Sequence, residues 1–191
     1  MSGNYFSDPM AFLVSTVIGL YILAIMLRFL LQAVGANFYN PLSQMLVKIT
    51  HPVLGPVRRV IPSLGRYDTA SIAVMLVLQF LALWLAFRIQ GQGVPVGPLA
   101  VISVWELVNL LLNVFLFAII IRVVVSWINP ASYHPALELI DNITRPVMAP
   151  VQRLLPNTGG LDFSPMIVLV GIWFLKMLLR PIFMDLARTM G

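Results

Sequence analysis

The chain contains no cysteine, which excludes disulfides, thiolate metal sites, cysteine nucleophiles and cysteine-linked haem and leaves the redox compartment open. Charge is the next scarcity. Asp, Glu, Lys and Arg make up 10% of the 191 residues, against roughly 25% in soluble domains. The net charge of +5 is too thinly spread for a nucleic-acid footprint, so no direct nucleic-acid binding is expected. The two histidines, His51 and His134, lack HExxH spacing. There is no GxSxG elbow, no Walker loop and no Gly-rich dinucleotide fingerprint. The reading is therefore of a non-enzyme without cofactor or metal.

Apolar residues fill 60% of the chain, and the mean hydropathy is +0.94. They run in blocks of bilayer length, because about 20 helical residues cross the hydrocarbon core. Four spans are expected, at roughly 10–34, 69–87, 105–128 and 164–183. In lipid each must be helical, since unpaired backbone groups there cost several kcal/mol and no span alternates like a barrel strand. The first span follows MSGNYFSDP, which has no Lys or Arg, and no small-residue cleavage pattern interrupts it. It reads as a retained helix and not a signal peptide. The expected fold class is an all-α membrane protein with four transmembrane helices.

A shift of 94 positions shows that the chain repeats itself. It places Arg28 on Arg122, Tyr39 on Tyr133, Pro41 on Pro135 and Ile49-Thr50 on Ile143-Thr144. Pro52-Val53 falls on Pro146-Val147, Pro56-Val57 on Pro150-Val151, Arg59 on Arg153, Pro62 on Pro156, Gly65 on Gly159 and Asp68 on Asp162. These residue types are scarce here, so a gapless match is duplication and not composition. The chain divides at the Gly/Pro-rich turn RIQGQGVPVGP, residues 88–98, into a first repeat over 1–92 and a second over 93–191. Each repeat is a helix-loop-helix unit that crosses the membrane twice, so the copies insert in the same direction, unlike the inverted repeats of many transporters.

Both long loops, 35–68 and 129–163, then lie on one face with Lys48, Arg58, Arg59, Arg66, Arg145 and Arg153. The opposite face has Arg88 and Arg188, with Arg180 near it. This bias predicts cytoplasmic long loops and both termini outside, which in a bacterial inner membrane means periplasmic.

Each long loop holds an amphipathic segment followed by a proline-rich one. In NPLSQMLVKIT, Asn40 reads as an N-cap and Pro41 as the first helical residue, with Leu42, Met45, Leu46 and Ile49 on one stripe. Ala136, Leu139, Ile140 and Ile143 take the matching places. Such a stripe suggests a helix in the membrane interface. Prolines at 52, 56 and 62 are expected to break it into short turns separated by kinks, since an interior Pro costs about 3 kcal/mol. Thr50, Pro52, Pro56, Arg58 and Arg59, with Thr144, Pro146, Pro150 and Arg153, form the candidate interaction or lipid-headgroup set. They are read either as a device that pins the loop to the surface or as a docking surface for a protein or anionic lipid.

Arg28 and Arg122 are the intramembrane polar residues of note. Each lies six residues from its helix end, about 9 Å at 1.5 Å per residue, so each either snorkels to the headgroups or serves a function by pairing or lining a polar cavity. Asp68 and Asp162 precede spans two and four, where a carboxylate caps free N–H groups; partnership with an Arg is the alternative. Asn109, Asn113 and Gln79 are expected to hydrogen-bond between helices. Lys176 is the deepest cation, and Ala82 takes its place in the first copy.

The duplicated T-x-P-V-x-x-P-V-x-R-x-x-P, followed by G-x-x-D and in the second copy by D-F-S-P, resembles the YggT family, also called YlmG, over most of the chain. The first copy departs from it with DTAS at 68–71, and Arg58 stands where the second has Gln152. The resemblance implies a multi-pass protein of the bacterial cytoplasmic membrane with plastid relatives. It also implies links to osmotic or potassium tolerance, to division and nucleoid organisation, and to cytochrome maturation, with no defined reaction.

Two functions are expected from the sequence. The first is a scaffold or assembly factor that uses its two cytoplasmic Pro/Arg-rich loops on a membrane or cytoplasmic protein partner. The second is a small channel or ion-homeostasis protein with Arg28 and Arg122 near an inner vestibule, which would need a homo-oligomer because four spans make a thin bundle. The lipid bilayer is a partner in both.

Overall fold

The computed structural model describes residues 6–128, 134–155 and 162–191. Within them lie six α-helices and no strand beyond one isolated bridge between Leu64 and Tyr67. The helices are α1 (Ser7–Ala33), α2 (Pro41–Arg58), α3 (Thr69–Ile89), α4 (Val96–Ile128), α5 (Pro135–Leu154) and α6 (Ser164–Thr189). Four of them, α1, α3, α4 and α6, are long and apolar enough to cross a membrane. The protein is an all-α membrane protein of two tandem helix-loop-helix units, with α2 and α5 as the connecting helices. Tyr133, Pro156 and Gly159 of the repeat lie outside the described residues.

Helix ends follow local chemistry. Gly35 and Gly91 adopt φ of 68° and 73°, and the residues after them return N–H bonds, Ala36 to Leu31 and Gln92 to Phe87. This is the 6→1 closure for which glycine, with no Cβ, is suited. The turn before α4 is shorter than the sequence suggests, because α4 already begins at Val96. Pro98 sits in its first turn, where no intrahelical N–H bond is required. At 33 residues α4 is about 50 Å long, beyond the roughly 30 Å of hydrocarbon. Its extra length packs on the equally extended end of α6, with Trp105 and Phe183 ring centroids 5.7 Å apart.

The spanning helices pack in the order α1, α3, α4, α6. Within the units α1 lies along α3 and α4 along α6; between them α3 meets α4, and α5 reaches α1. Among the described residues α6 makes no contact with α1, nor α2 with α4. The second unit is thus added onto one side of the first and does not close around a two-fold axis.

The breaks expected at Pro52 and Pro56 and at their counterparts are absent, whereas α2 does end, at Arg58, before Pro62. Pro52 and Pro56 lie inside α2, and Pro146 and Pro150 inside α5. Four-residue spacing puts both prolines of a pair on one face, and all four are exposed. The carbonyls deprived of a donor therefore lie toward the outside, where another group can satisfy them, and the helix continues.

Candidate functional site

In each unit the connecting helix is fixed to the span before it and the span after it by side chains at corresponding positions. Arg28, buried in α1, donates from Nη1 to Thr50 Oγ1 of α2 at 2.7 Å. Thr50 passes its own hydroxyl proton to the Leu46 carbonyl at 2.7 Å. Arg28 therefore does not snorkel; its charge stays inside, where it also lies 3.5 Å from the Val47 carbonyl. In the second unit Thr144 is buried too, but it bonds Ile140 O at 2.9 Å within its helix. Arg122 takes a different partner on α5, with Nε 2.8 Å from Asp141 Oδ1 and both side chains about half exposed. Asp141 stands where α2 has Val47, so the first copy has no carboxylate to offer Arg28.

The C-terminal ends of the connecting helices are fixed in the same way. Arg58 of α2 donates from Nε to Asp68 Oδ2 at 3.1 Å and makes a closer contact from Nη2. Nη2 also donates to Gln32 Oε1 of α1 at 3.3 Å. Asp68 is buried before α3 and accepts the Ser71 hydroxyl as well; Oδ1 has no partner among the described residues. In the second unit Gln152, the counterpart of Arg58, donates to Asp162 Oδ2 at 2.9 Å.

Three of the sequence assignments are thereby corrected. Thr50 and Thr144 face the bundle and not headgroups. Arg58 is half-buried in an ion pair and not an open headgroup contact. Asp68 holds the N-cap position of α3 without a side-chain capping bond; Arg58 and the Ser71 hydroxyl both bond its Oδ2. Asp162 does receive the Ser164 N–H, at 2.9 Å. Arg59, Arg153 and the four prolines are exposed, together with Lys48, His51 and Arg145.

The carboxylates feel opposed influences. Burial pushes the Asp68 carboxyl up, but the hydrogen bonds from Arg58 and Ser71 and the Arg58 charge outweigh it, leaving it below the usual range. Burial also raises Asp141, and the Arg122 charge offsets this only in part, leaving it above the usual range. Asp162, against some desolvation, is held low by its bonds from Ser164 and Gln152. Among the described residues no cluster of His, Asp and Glu suits a metal ion.

The copies are joined by a residue whose bridging role the sequence did not reveal. Asn40 caps α2 by accepting the Leu42 N–H at 3.0 Å. Its Nδ2 donates across to the Pro135 carbonyl at 2.9 Å and Glu138 Oε2 at 3.3 Å. His134, its counterpart, caps α5 by accepting the Ala136 N–H on Nδ1 at 3.1 Å. The signal was the shared position before Pro41 and Pro135. Deeper in the bundle, Lys176 Nζ donates to Asn113 Oδ1 at 2.7 Å and joins α6 to α4.

Fold and fixings together define a class, a four-span helical membrane protein built from two copies of one unit with a braced connecting helix in each. The family profile described as CCB3/YggT matches residues 7–89 and again 101–183, and the chain belongs to that family. An uncharacterized protein of Pseudomonas aeruginosa is 40% identical over 170 residues, covering 87% of this chain and 86% of that one. The Escherichia coli K12 uncharacterized protein YggT is 36% identical over 173 residues, 89% and 88% of the two chains. A protein of Vibrio alginolyticus, described as encoded in the proC 3′ region, is 36% identical over 178 residues, 92% and 95%. No solved structure matches.

Proposed function

We propose that the protein is a membrane scaffold or assembly factor, presenting α2 and α5 in the membrane interface as one braced platform for a protein partner. The bracing carries this reading: Arg28–Thr50 and Arg58–Asp68 on one helix, Arg122–Asp141 and Gln152–Asp162 on the other. A helix that merely floats on headgroups has no need of fixings at both ends. A helix that must hold a surface in one orientation does, because prepaid ordering strengthens binding. The basic groups left outside are Lys48 and His51 on α2, Arg59 directly after it, and Arg145 and Arg153 on α5. They suit a partner with an acidic face, and Arg adds planar, forked recognition of carboxylates.

The bacterial inner membrane, with the long loops cytoplasmic, is the location in this reading. The Lys/Arg bias supports it, as do the bacterial relatives. The channel reading loses its main support, since Arg28 is committed to Thr50.

The test is cross-linking in native membranes from His51→Cys and Arg145→Cys, counterpart positions that are both exposed, in a chain otherwise free of cysteine. A discrete protein adduct shared by both positions and lost on adding Arg59→Glu and Arg153→Glu is expected. Lipid adducts alone would sink the proposal.

A further inference from the structure

The tandem copies occupy equivalent sequence positions in unequal surroundings, and the inequality has one pattern. On α4, Leu107 and Val114 are 8% exposed and pack with the first unit; their counterparts on α1, Leu13 and Leu20, are 57% and 63% exposed. On α5, Leu139 and Ile143 are 6% and 4% exposed in that same cluster. Their counterparts on α2, Met45 and Ile49, are 49% and 46% exposed. Val17, the counterpart of Leu111, which packs against that cluster, extends the open stripe on α1. The face by which the second unit docks onto the first is thus present on the first unit, in apolar residues, with nothing on it.

The receiving face is duplicated too. Leu76, Gln79, Phe80 and Leu83 of α3 are partly covered, α3 packs on α4, and Leu76 lies against the cluster that holds Leu107 and Val114. The matching residues of α6, Val170, Trp173, Phe174 and Met177, are exposed. A polar contact obeys the same rule. Asn40 caps its own helix with one atom and bonds the next unit's Pro135 carbonyl and Glu138 with another. His134 caps with Nδ1, so its proton is on Nε2, and that donor has no partner among the described residues. Repeating the relation between the units would bring it to Pro41 O and Gln44 of a following chain.

From this complementarity we propose that the protein associates head to tail with a second copy of itself. The α1 and α2 stripes of one chain (Leu13, Val17, Leu20; Met45, Ile49) seat on α6 and α4 of its neighbour, as its own second unit seats on its first. Such an interface is heterologous, uses different surfaces on the two chains, and continues into a ring or a row. Lipid alone can cover the spanning stripes, but it does not account for their match, position by position, to an interface already formed inside the chain. The basic residues assigned above to a protein partner are not among these stripe residues, and linking between copies of this chain is read separately from linking to another protein, so the two proposals can fail separately.

The test uses single-cysteine chains, co-expressed in native membranes and treated with a short bifunctional maleimide. Val17→Cys and Met177→Cys lie at the same expected depth on the two faces. A cross-linked dimer from the mixed pair, and none from either variant by itself, is expected. The double variant Asn40→Cys/Glu138→Cys within one chain, at positions whose native side chains meet across the two units at 3.3 Å, is the folding control and should cross-link internally. If the control links and the mixed pair does not, the proposal is overturned. If Val17→Cys links only to itself, a two-fold interface replaces the head-to-tail one. A failed control removes the internal template and the proposal with it.

Discussion

Arg28 and Arg122 occupy the same position of the repeat and make different bonds. Arg28 Nη1 is 2.7 Å from Thr50 Oγ1 in the interior, whereas Arg122 Nε is 2.8 Å from Asp141 Oδ1 at a half-exposed site. A buried cation joined by a charge-assisted hydrogen bond is worth about 1.5–3 kcal/mol, and an exposed ion pair about 0–1 kcal/mol. Arg28→Ala is therefore expected to lower the thermal midpoint in detergent clearly more than Arg122→Ala. Equal losses would show that burial does not separate the two sites.

Removing charge from the two carboxylates should act in opposite directions. Asp68, with its pKa held below the ordinary value, contributes stability that is present above the unfolded-state pKa and lost as pH falls through the folded one. Asp141, with its pKa raised, contributes most below the unfolded-state value and loses that contribution as pH rises through the folded one. At neutral pH Asp68→Asn should destabilise, while Asp141→Asn should leave the midpoint unchanged or slightly higher despite deleting an ion pair. A fall for Asp141→Asn as large as that for Asp68→Asn would contradict this account.

The spans, the duplication and most of the braced residues were legible in the sequence because they rest on composition and on rare residues in register. What the sequence did not give was direction. Thr50 and Thr144 sit beside prolines and near arginines, and only their buried side chains show that they turn inward. Pro52 and Pro56 look like breakers when each is charged about 3 kcal/mol, but that cost assumes freed carbonyls left without a partner. Their common exposed face removes much of it. Asp68 takes the second of its two expected roles for a related reason: a carboxylate before a helix is ordinarily a cap, and the arginine that pairs with it lies ten residues back in a segment expected to face headgroups.

Both connecting helices should lie on one side of the membrane, since two spans separate them. With Lys48, Arg59, Arg145 and Arg153 among their exposed residues, that side is expected to be the cytoplasm. In intact cells a membrane-impermeant maleimide should miss both His51→Cys and Arg145→Cys and label both after permeabilisation. Labelling of both from outside would invert the orientation, and labelling of one only would contradict the parallel repeat.

Asn40 and His134 separate helix capping from the joining of the two units. Both accept an N–H at the start of their helix, and loss of a cap costs about 1 kcal/mol. Only Asn40 also reaches the other unit, at Pro135 O and Glu138. Asn40→Ala is therefore expected to destabilise more than His134→Ala, and His134→Asn to be nearly silent because Asn supplies an equivalent acceptor. The excess should depend on the partner: combining Asn40→Ala with Glu138→Ala should cost less than the two separate changes added together, the mark of interacting residues. If the two changes add, the Asn40–Glu138 contact contributes nothing to holding the units together, and the joining rests on the Pro135 carbonyl and on the apolar packing of Leu139 and Ile143 against the first unit.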